Sequence, residues 1–193
     1  GAEVTILEKN DRAGKKIRIT GKGRCNVTSA KSLDEHIKAF AHNGKFMYTP
    51  YSALSPEEIY SFFEEAGVPL KVERGDRVFP QSDNAQDIVD ALVKKCESLG
   101  AKIVYDKAVK TLLRSAEGEL GILCADGERI SADKVIIATG GASYPGTGSS
   151  GDGYKLAKSA GHTIEMIRPA LVPLVVKEDD IAKLQGLSLR NVR

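Results

Sequence analysis

K-V-I-I-A-T-G-G-A-S-Y-P-G-T-G-S-S-G-D-G-Y-K-L-A-K-S-A-G, residues 134–161, is the stretch on which the fold turns. Val135 to Ala138 are apolar and largely β-branched, which predicts a strand of parallel type. The turn Thr139-Gly140-Gly141 then ends it abruptly. Glycines at a strand tip let the main chain approach a ligand without a Cβ in the way, and a following helix turns unpaired amides toward an anion. That combination points to a nucleotide cofactor. Gly146, Gly148 and Gly151 spell G-x-G-x-x-G, yet A-T-G-G has already ended the strand and the loop runs on before the helix, so this is not the dinucleotide fingerprint itself. Asp152 is placed to cap the helix that begins near Tyr154.

Upstream, Lys102 opens a different rhythm: short strands at 103–105, 109–114, 121–125 and 129–132, with Asp126-Gly127 as a tight hairpin turn, predict a β-meander. Three helices precede it. Ser32 with Glu35 opens one to about Ala41; Ser55, Pro56 and Glu58 open a second that closes at Gly67; a third runs from about Asn84 to Leu99 and stops at Gly100. Ile88, Val89, Leu92 and Cys96 form the inward stripe of the third. At the start, residues 2–7 read as a strand ending in Glu8, followed by a polar, basic loop through Asn26. In a dinucleotide-binding βαβ unit a carboxylate about 20 residues beyond the glycine turn holds the ribose. Only seven residues precede Glu8, so if Glu8 has that role, the expectation is that the phosphate-binding turn lies outside this sequence. After Arg168-Pro169 the pattern P-A-L-V-P-L-V-V predicts the first strand of another domain. The expected organisation is thus a partial nucleotide-binding domain over residues 1–168 and the start of a second domain over 169–193.

Composition bounds the function without naming it. The 193 residues are 41% apolar with no run near the ~20 needed to cross a bilayer, and the net charge is +2. A soluble, cytoplasmic protein acting on a small molecule, with neither nucleic acid nor membrane as bulk partner, is the expectation. The three cysteines and three histidines show no metal-ligand spacing, so no metal site is expected. G-K-G-R-C-N, residues 21–26, packs glycines, a cation, a thiol and an amide into a loop suited to a phosphate or a ring system. Cys25 beside Arg24 is open to a redox role as well as to packing. Arg24 and Asn26 are candidates for stabilising negative charge on a reduced ring. The six basic residues Arg12, Lys15, Lys16, Arg18, Lys22 and Arg24 leave open a nucleic-acid-binding module, though no aromatic residue is interleaved for base stacking. Glu8 holding the ribose of S-adenosylmethionine in a methyltransferase fragment is a further alternative, against which the glycine-rich region speaks.

E-V-T-I-L-E-K-N-D-R-A-G-K-K-I-R-I-T-G-K-G-R-C-N-V-T, R-V-F-P-Q-S-D-N-A, A-T-G-G-A-S-Y-P-G-T-G-S-S-G-D-G-Y, P-A-L-V-P-L and L-Q-G-L-S-L-R occur here in that order. Together they closely resemble the BaiN-like family of bacterial FAD-dependent oxidoreductases, and the resemblance covers essentially the whole chain. More remotely, A-T-G-G followed by G-D-G looks like the flavoprotein subunits of fumarate reductases and aspartate oxidases. The family resemblance implies an α/β fold: a Rossmann-like FAD-binding domain with a mixed sheet and an antiparallel β-meander, truncated at both ends, plus the beginning of an inserted β-rich domain near Pro169. It implies FAD as cofactor and NADH or NADPH as electron donor, with hydride passing through flavin to an organic acceptor. By the same resemblance Glu8, with Lys9 beside it, lies at the adenosine ribose and Lys15 and Lys16 near the phosphates. Gly23, Arg24, Cys25 and Asn26 run toward the flavin, Val109 lies near the adenine, and Ala138, Thr139, Gly140 and Gly141 line the dinucleotide. No catalytic residue is singled out. The fragment itself is expected to hold FAD weakly and to be inactive.

Overall fold

In the computed structural model, residues 1–115, 118–169, 177–184 and 186–187 are described. The chain divides into two compact units, residues 1–163 and 164–193. In the first, strand β1 (Thr5–Leu7) lies parallel to β5 (Lys102–Val104), pairing Thr5 with Lys102 and Leu7 with Val104. The pair closes beyond the strand ends, where Glu8 N donates to Val104 O at 2.9 Å and Lys107 N to Glu8 O at 2.9 Å. The strand at 103–105 therefore pairs with the chain's beginning and stays outside the meander.

The segment 9–26 is more ordered than a polar loop. Helix α1 (Lys15–Ile19) starts at Gly14, whose φ of 71° suits glycine and whose missing Cβ would lie 2.6 Å from Val89 Cγ2. That close approach seats α1 on α5 (Ala85–Ser98), and Arg18 Nε donates to Gln86 Oε1 at 2.7 Å across the same contact. A 3₁₀ turn, Thr20–Gly23, follows.

Strands β2 (Thr28–Ser29), β3 (Leu70–Glu73) and β4 (Arg77–Pro80) form an antiparallel sheet in the order β2-β4-β3. The helices expected at Ser32 and Ser55 are α2 (Leu33–Ala39) and α4 (Pro56–Glu65), each opened by its capping box; a short α3 (Tyr48–Ala53) lies between them. Phe63, Val68, Leu70, Val78, Ala85, Ile88, Ala91 and Cys25 pack into one core between this sheet and the helices. Val78 and Phe79 are fully enclosed.

The meander is β6 (Val109–Arg114), β7 (Leu120–Cys124) and β8 (Arg129–Ala132), antiparallel in chain order. Its turn is the predicted one, with Gly127 at φ 91° and Gly127 N bonded to Cys124 O. Parallel and antiparallel strands thus share one α/β unit but stand in three separate sheets.

The predicted strand at Val135–Ala138 has no partner strand among the described residues, and its backbone joins no ladder. Its side chains are exposed, Ile136 by 89%. The pattern reads as a strand, but a strand is completed only by a neighbour that takes up its N–H and C=O groups. Helix α6 (Asp152–Ser159) begins two residues earlier than predicted. Its N-cap is Gly151 at φ 78°, and Asp152 is its first residue, with the carboxylate employed elsewhere. In the second unit, residues 179–184 form a 3₁₀ turn. The predicted strand over 169–176 falls almost wholly outside the described residues. No helix among the described residues is long and apolar enough to cross a membrane.

Candidate functional site

Glu8 ends β1 half-buried, and its Oε1 accepts from Asn10 N at 2.8 Å and Asn10 Nδ2 at 2.7 Å. This Asx-like clamp fixes the carboxylate at the strand tip, and Oε2 is the oxygen left to face a hydroxyl. The same tip is fastened to the glycine-rich loop. Lys9 Nζ donates to Ser150 Oγ at 2.5 Å and pairs with Asp152 Oδ2 at 2.6 Å; Asn10 Nδ2 reaches Thr147 O at 3.4 Å. From α1, Lys16 Nζ donates to Ser143 O at 2.8 Å and to Ser143 Oγ at 2.9 Å, and lies 5.2 Å from the centre of the Tyr144 ring. The structure therefore brings residues 8–16 and 143–152 together across more than a hundred residues of chain. Asp152 is held below its ordinary carboxyl range, first by the Lys9 ammonium and then by the Ser150 hydroxyl.

Ala138 to Gly141 run exposed or half-exposed into this loop. Gly140 has φ 72°, where a Cβ would lie 3.4 Å from Ser149 Oγ, and Gly141 O accepts from Gly151 N at 3.1 Å. Bare main chain at this tip is what the sequence pattern predicts. Ser149 is the buried polar residue of the loop. Tyr144 holds φ 56° although it precedes Pro145, a position that ordinarily favours extended backbone, and its side chain is 68% exposed.

The loop 21–26 is built on Phe79. A Cβ on Gly21 would meet that ring at 2.9 Å, and the Arg24 guanidinium stacks on it at 4.0 Å. Arg24 Nη1 also pairs with Glu73 at 2.8 Å and Asp83 at 3.2 Å. Its charge is thus compensated within the fold, and those carboxylates hold its guanidinium above the usual range. Cys25 is buried in the main core at φ 63°, and burial raises its thiol above the usual value, which is the setting of a packed residue rather than a reactive thiolate. Asn26, with its amide nitrogen turned inward, donates to Val78 O at 3.2 Å and Thr28 O at 3.0 Å, pinning the loop to β2 and β4. Gly23 is exposed at φ 86°.

Lys15 Nζ pairs with Asp11 at 2.8 Å and Val109 begins β6 opposite Cys124; neither is tied by a hydrogen bond to the loop 143–152. Of the basic run, Lys15, Lys16, Arg18 and Arg24 all bond to protein groups. Among the described residues no group of three or more His, Cys, Asp or Glu is arranged for a metal.

Two grooves lie elsewhere, one along α2 and one over the segment that follows it. One is lined by Ser29, Lys31, His36, Ala39, Phe40 and Tyr51, the other by Phe40, His42, Asn43, Lys45, Phe46 and Met47. His36, Tyr51, Asn10 and Tyr144 were not among the residues singled out from sequence. Asn10 could have been, as an Asx residue two places beyond a strand-end carboxylate. His36 and Tyr51 could not, since only folding sets them side by side.

Comparison with known proteins agrees with this architecture. The chain is 38% identical over 189 residues, 96% of its length, to a 3-dehydro-bile acid delta(4,6)-reductase of Clostridium scindens. It is 28% identical over 98% of its length to a ribosomal RNA dihydrouridine synthase of Haemophilus influenzae, and 29% identical over 97% to one of Escherichia coli. It spans 44 to 47% of the length of these curated relatives. The family model for the HI0933-like protein Rossmann domain matches residues 1–187. By that match, and by its BaiN-like relative, the chain belongs to the HI0933-like Rossmann domain family.

Proposed function

We propose that the protein carrying this chain is an FAD-dependent oxidoreductase that passes hydride from NADH or NADPH through flavin to an organic acceptor, at a ring C=C bond conjugated with a carbonyl. The observation that carries the reading is the convergence of the β1 tip with the glycine-rich loop through Lys9, Asn10 and Lys16. A fixed carboxylate and exposed main chain at Gly140 and Gly141 fit the adenosine end and the pyrophosphate of a dinucleotide. Within this reading Glu8 takes a ribose hydroxyl on Oε2, and Lys16 offers its charge beside the phosphates. Residues 23–26 form a rigid wall along the cofactor, with the Arg24 charge already neutralised by Glu73 and Asp83. FAD, when bound, supplies the hydride chemistry; the chain's share is to bind, orient and keep water out. The acceptor class is supported by the relatives: a delta(4,6)-reductase of a 3-dehydro steroid and a synthase of dihydrouridine both saturate a ring C=C bond conjugated with a carbonyl.

The test uses the full-length protein. Purified and folded, it carries a flavin spectrum or is reconstituted by added FAD. Glu8→Gln weakens FAD binding about tenfold in a fluorescence titration, the loss of one hydrogen bond to a charged acceptor. A folded protein that neither contains nor takes up FAD removes the reading.

A further inference from the structure

We propose that the groove between β2 and α2–α3 receives the conjugated ring of the acceptor, and that Tyr51 is its proton donor, held in position by His36. This rests on the function proposed above, because saturating a C=C bond needs a proton as well as a hydride; the phenol of the glycine-rich loop, Tyr144, is 68% exposed and lies over Lys16, whereas that of Tyr51 is half-buried in a groove. Lys9, Lys16 and Arg24 are tied into ion pairs or carbonyl contacts, and the Cys25 thiol is enclosed.

The groove does hold a proton source. It has a volume of about 240 Å³ and is walled by Phe40 and Ala39, with His36 and Tyr51 half-buried along it. His36 Nε2 lies 3.3 Å from Ser29 O and its Nδ1 lies 3.4 Å from Tyr51 Oη. A carbonyl oxygen only accepts, so in the neutral ring Nε2 carries the proton and Nδ1 is the acceptor for the Tyr51 hydroxyl. The rings meet edge to face, 5.5 Å apart at 84°, which fixes the phenol's direction. Both elements are secured from outside the groove, α2 by the Ser32–Glu35 capping box and α3 by Tyr48 Oη donating to Asp34 Oδ1 at 3.3 Å.

Position supports the assignment. Ser29 belongs to β2 and lies three residues after Asn26, a reach of at most roughly 11 Å along the chain. Ser29, at the edge of the groove, is therefore within that reach of the wall proposed for the flavin. A wider depression of about 600 Å³, where Phe46 and Lys45 stand exposed, shares Phe40 with the groove as a wall, room for the rest of a larger acceptor. The chemistry balances without another reagent. Hydride adds to the β-carbon and the π pair shifts onto the α-carbon and carbonyl; the Tyr51 hydroxyl turns its hydrogen from His36 Nδ1 to the acceptor, and its O–H bond breaks as that proton bonds to the α-carbon, the phenolate then regaining a proton from water. Tyr51 is the donor, and His36 is a positioning residue.

The ring enone is shared by a 3-oxo-4-ene steroid and by a uracil base, so the test has two arms: androst-4-ene-3,17-dione, and a short RNA oligonucleotide containing uridine. In the flavin-loaded full-length protein, Tyr51→Phe leaves flavin reduction by NADPH at the wild-type rate. It slows reoxidation by the active acceptor about a hundredfold or more, the low end of general-acid contributions. His36→Asn slows the same step less. Equilibrium dialysis of the unreduced protein supplies a readout apart from turnover: Phe40→Ser weakens binding of the active acceptor, whereas Tyr51→Phe leaves it within twofold. Wild-type reoxidation rates in Tyr51→Phe, or wild-type acceptor binding in Phe40→Ser, overturn the inference while leaving the proposed function standing. Failure of the wild-type protein to pass hydride to either acceptor overturns both.

Discussion

Asp152 was expected to cap a helix, yet its carboxylate closes the contact between two distant loops by pairing with Lys9 and accepting from Ser150. Its pKa lies below the ordinary 3.8. A carboxyl depressed in the folded protein contributes stability above its unfolded value and loses it as pH falls through the folded one. Asp152→Asn therefore makes the denaturation midpoint less sensitive to acidification below about pH 3.8, which urea melts across that range measure. At neutral pH the same change weakens FAD binding by up to about fivefold in a fluorescence titration, the scale of a half-exposed ion pair. Arg24 teaches the complementary lesson. Its neighbours in sequence make it look like a free cation beside a ligand, and Glu73 and Asp83, about 50 to 60 residues on, consume it.

Elements are placed by close approach as much as by apolar stripes. Helix α6 sits against the 137–139 stretch because Gly153 has no Cβ: one would collide with Thr139 Oγ1 and come within 3.2 Å of Ile137 Cγ2. Gly153→Ala forces α6 away from the strand tip and costs about 1–3 kcal/mol in chemical denaturation, the range for overpacking. FAD affinity falls with it in a titration of the full-length protein. The capped helices α2, α4 and α5 were legible in the sequence, since Ser-x-x-Glu, proline and glycine signals act locally. Helix α1 and the β3–β4 hairpin were not, being short segments whose order comes from Val89 against Gly14 and from the enclosure of Val78 and Phe79.

At the scale of the whole molecule, one buried ring joins stability to the candidate site. Phe79 is 2% exposed, belongs to β4, and supports both Gly21 and Arg24 of the loop 21–26. Phe79→Ala costs about 3–5 kcal/mol, measured as a lower urea midpoint. The sequence by itself determined the α/β character, the capped helices, the meander with its Asp126-Gly127 turn and the bare glycine tip at Gly140. Each of these depends on neighbours within a few residues, so local propensity and periodicity suffice to encode it. Only the tertiary structure decided that β5 pairs with β1, that Lys9 and Lys16 are spent on the glycine-rich loop, that Val135–Ala138 stands without a ladder, and that His36 meets Tyr51. Those outcomes turn on which groups meet across 15 to more than a hundred residues of chain, and a hydrogen bond or ion pair carries no mark in sequence of the partner that will complete it.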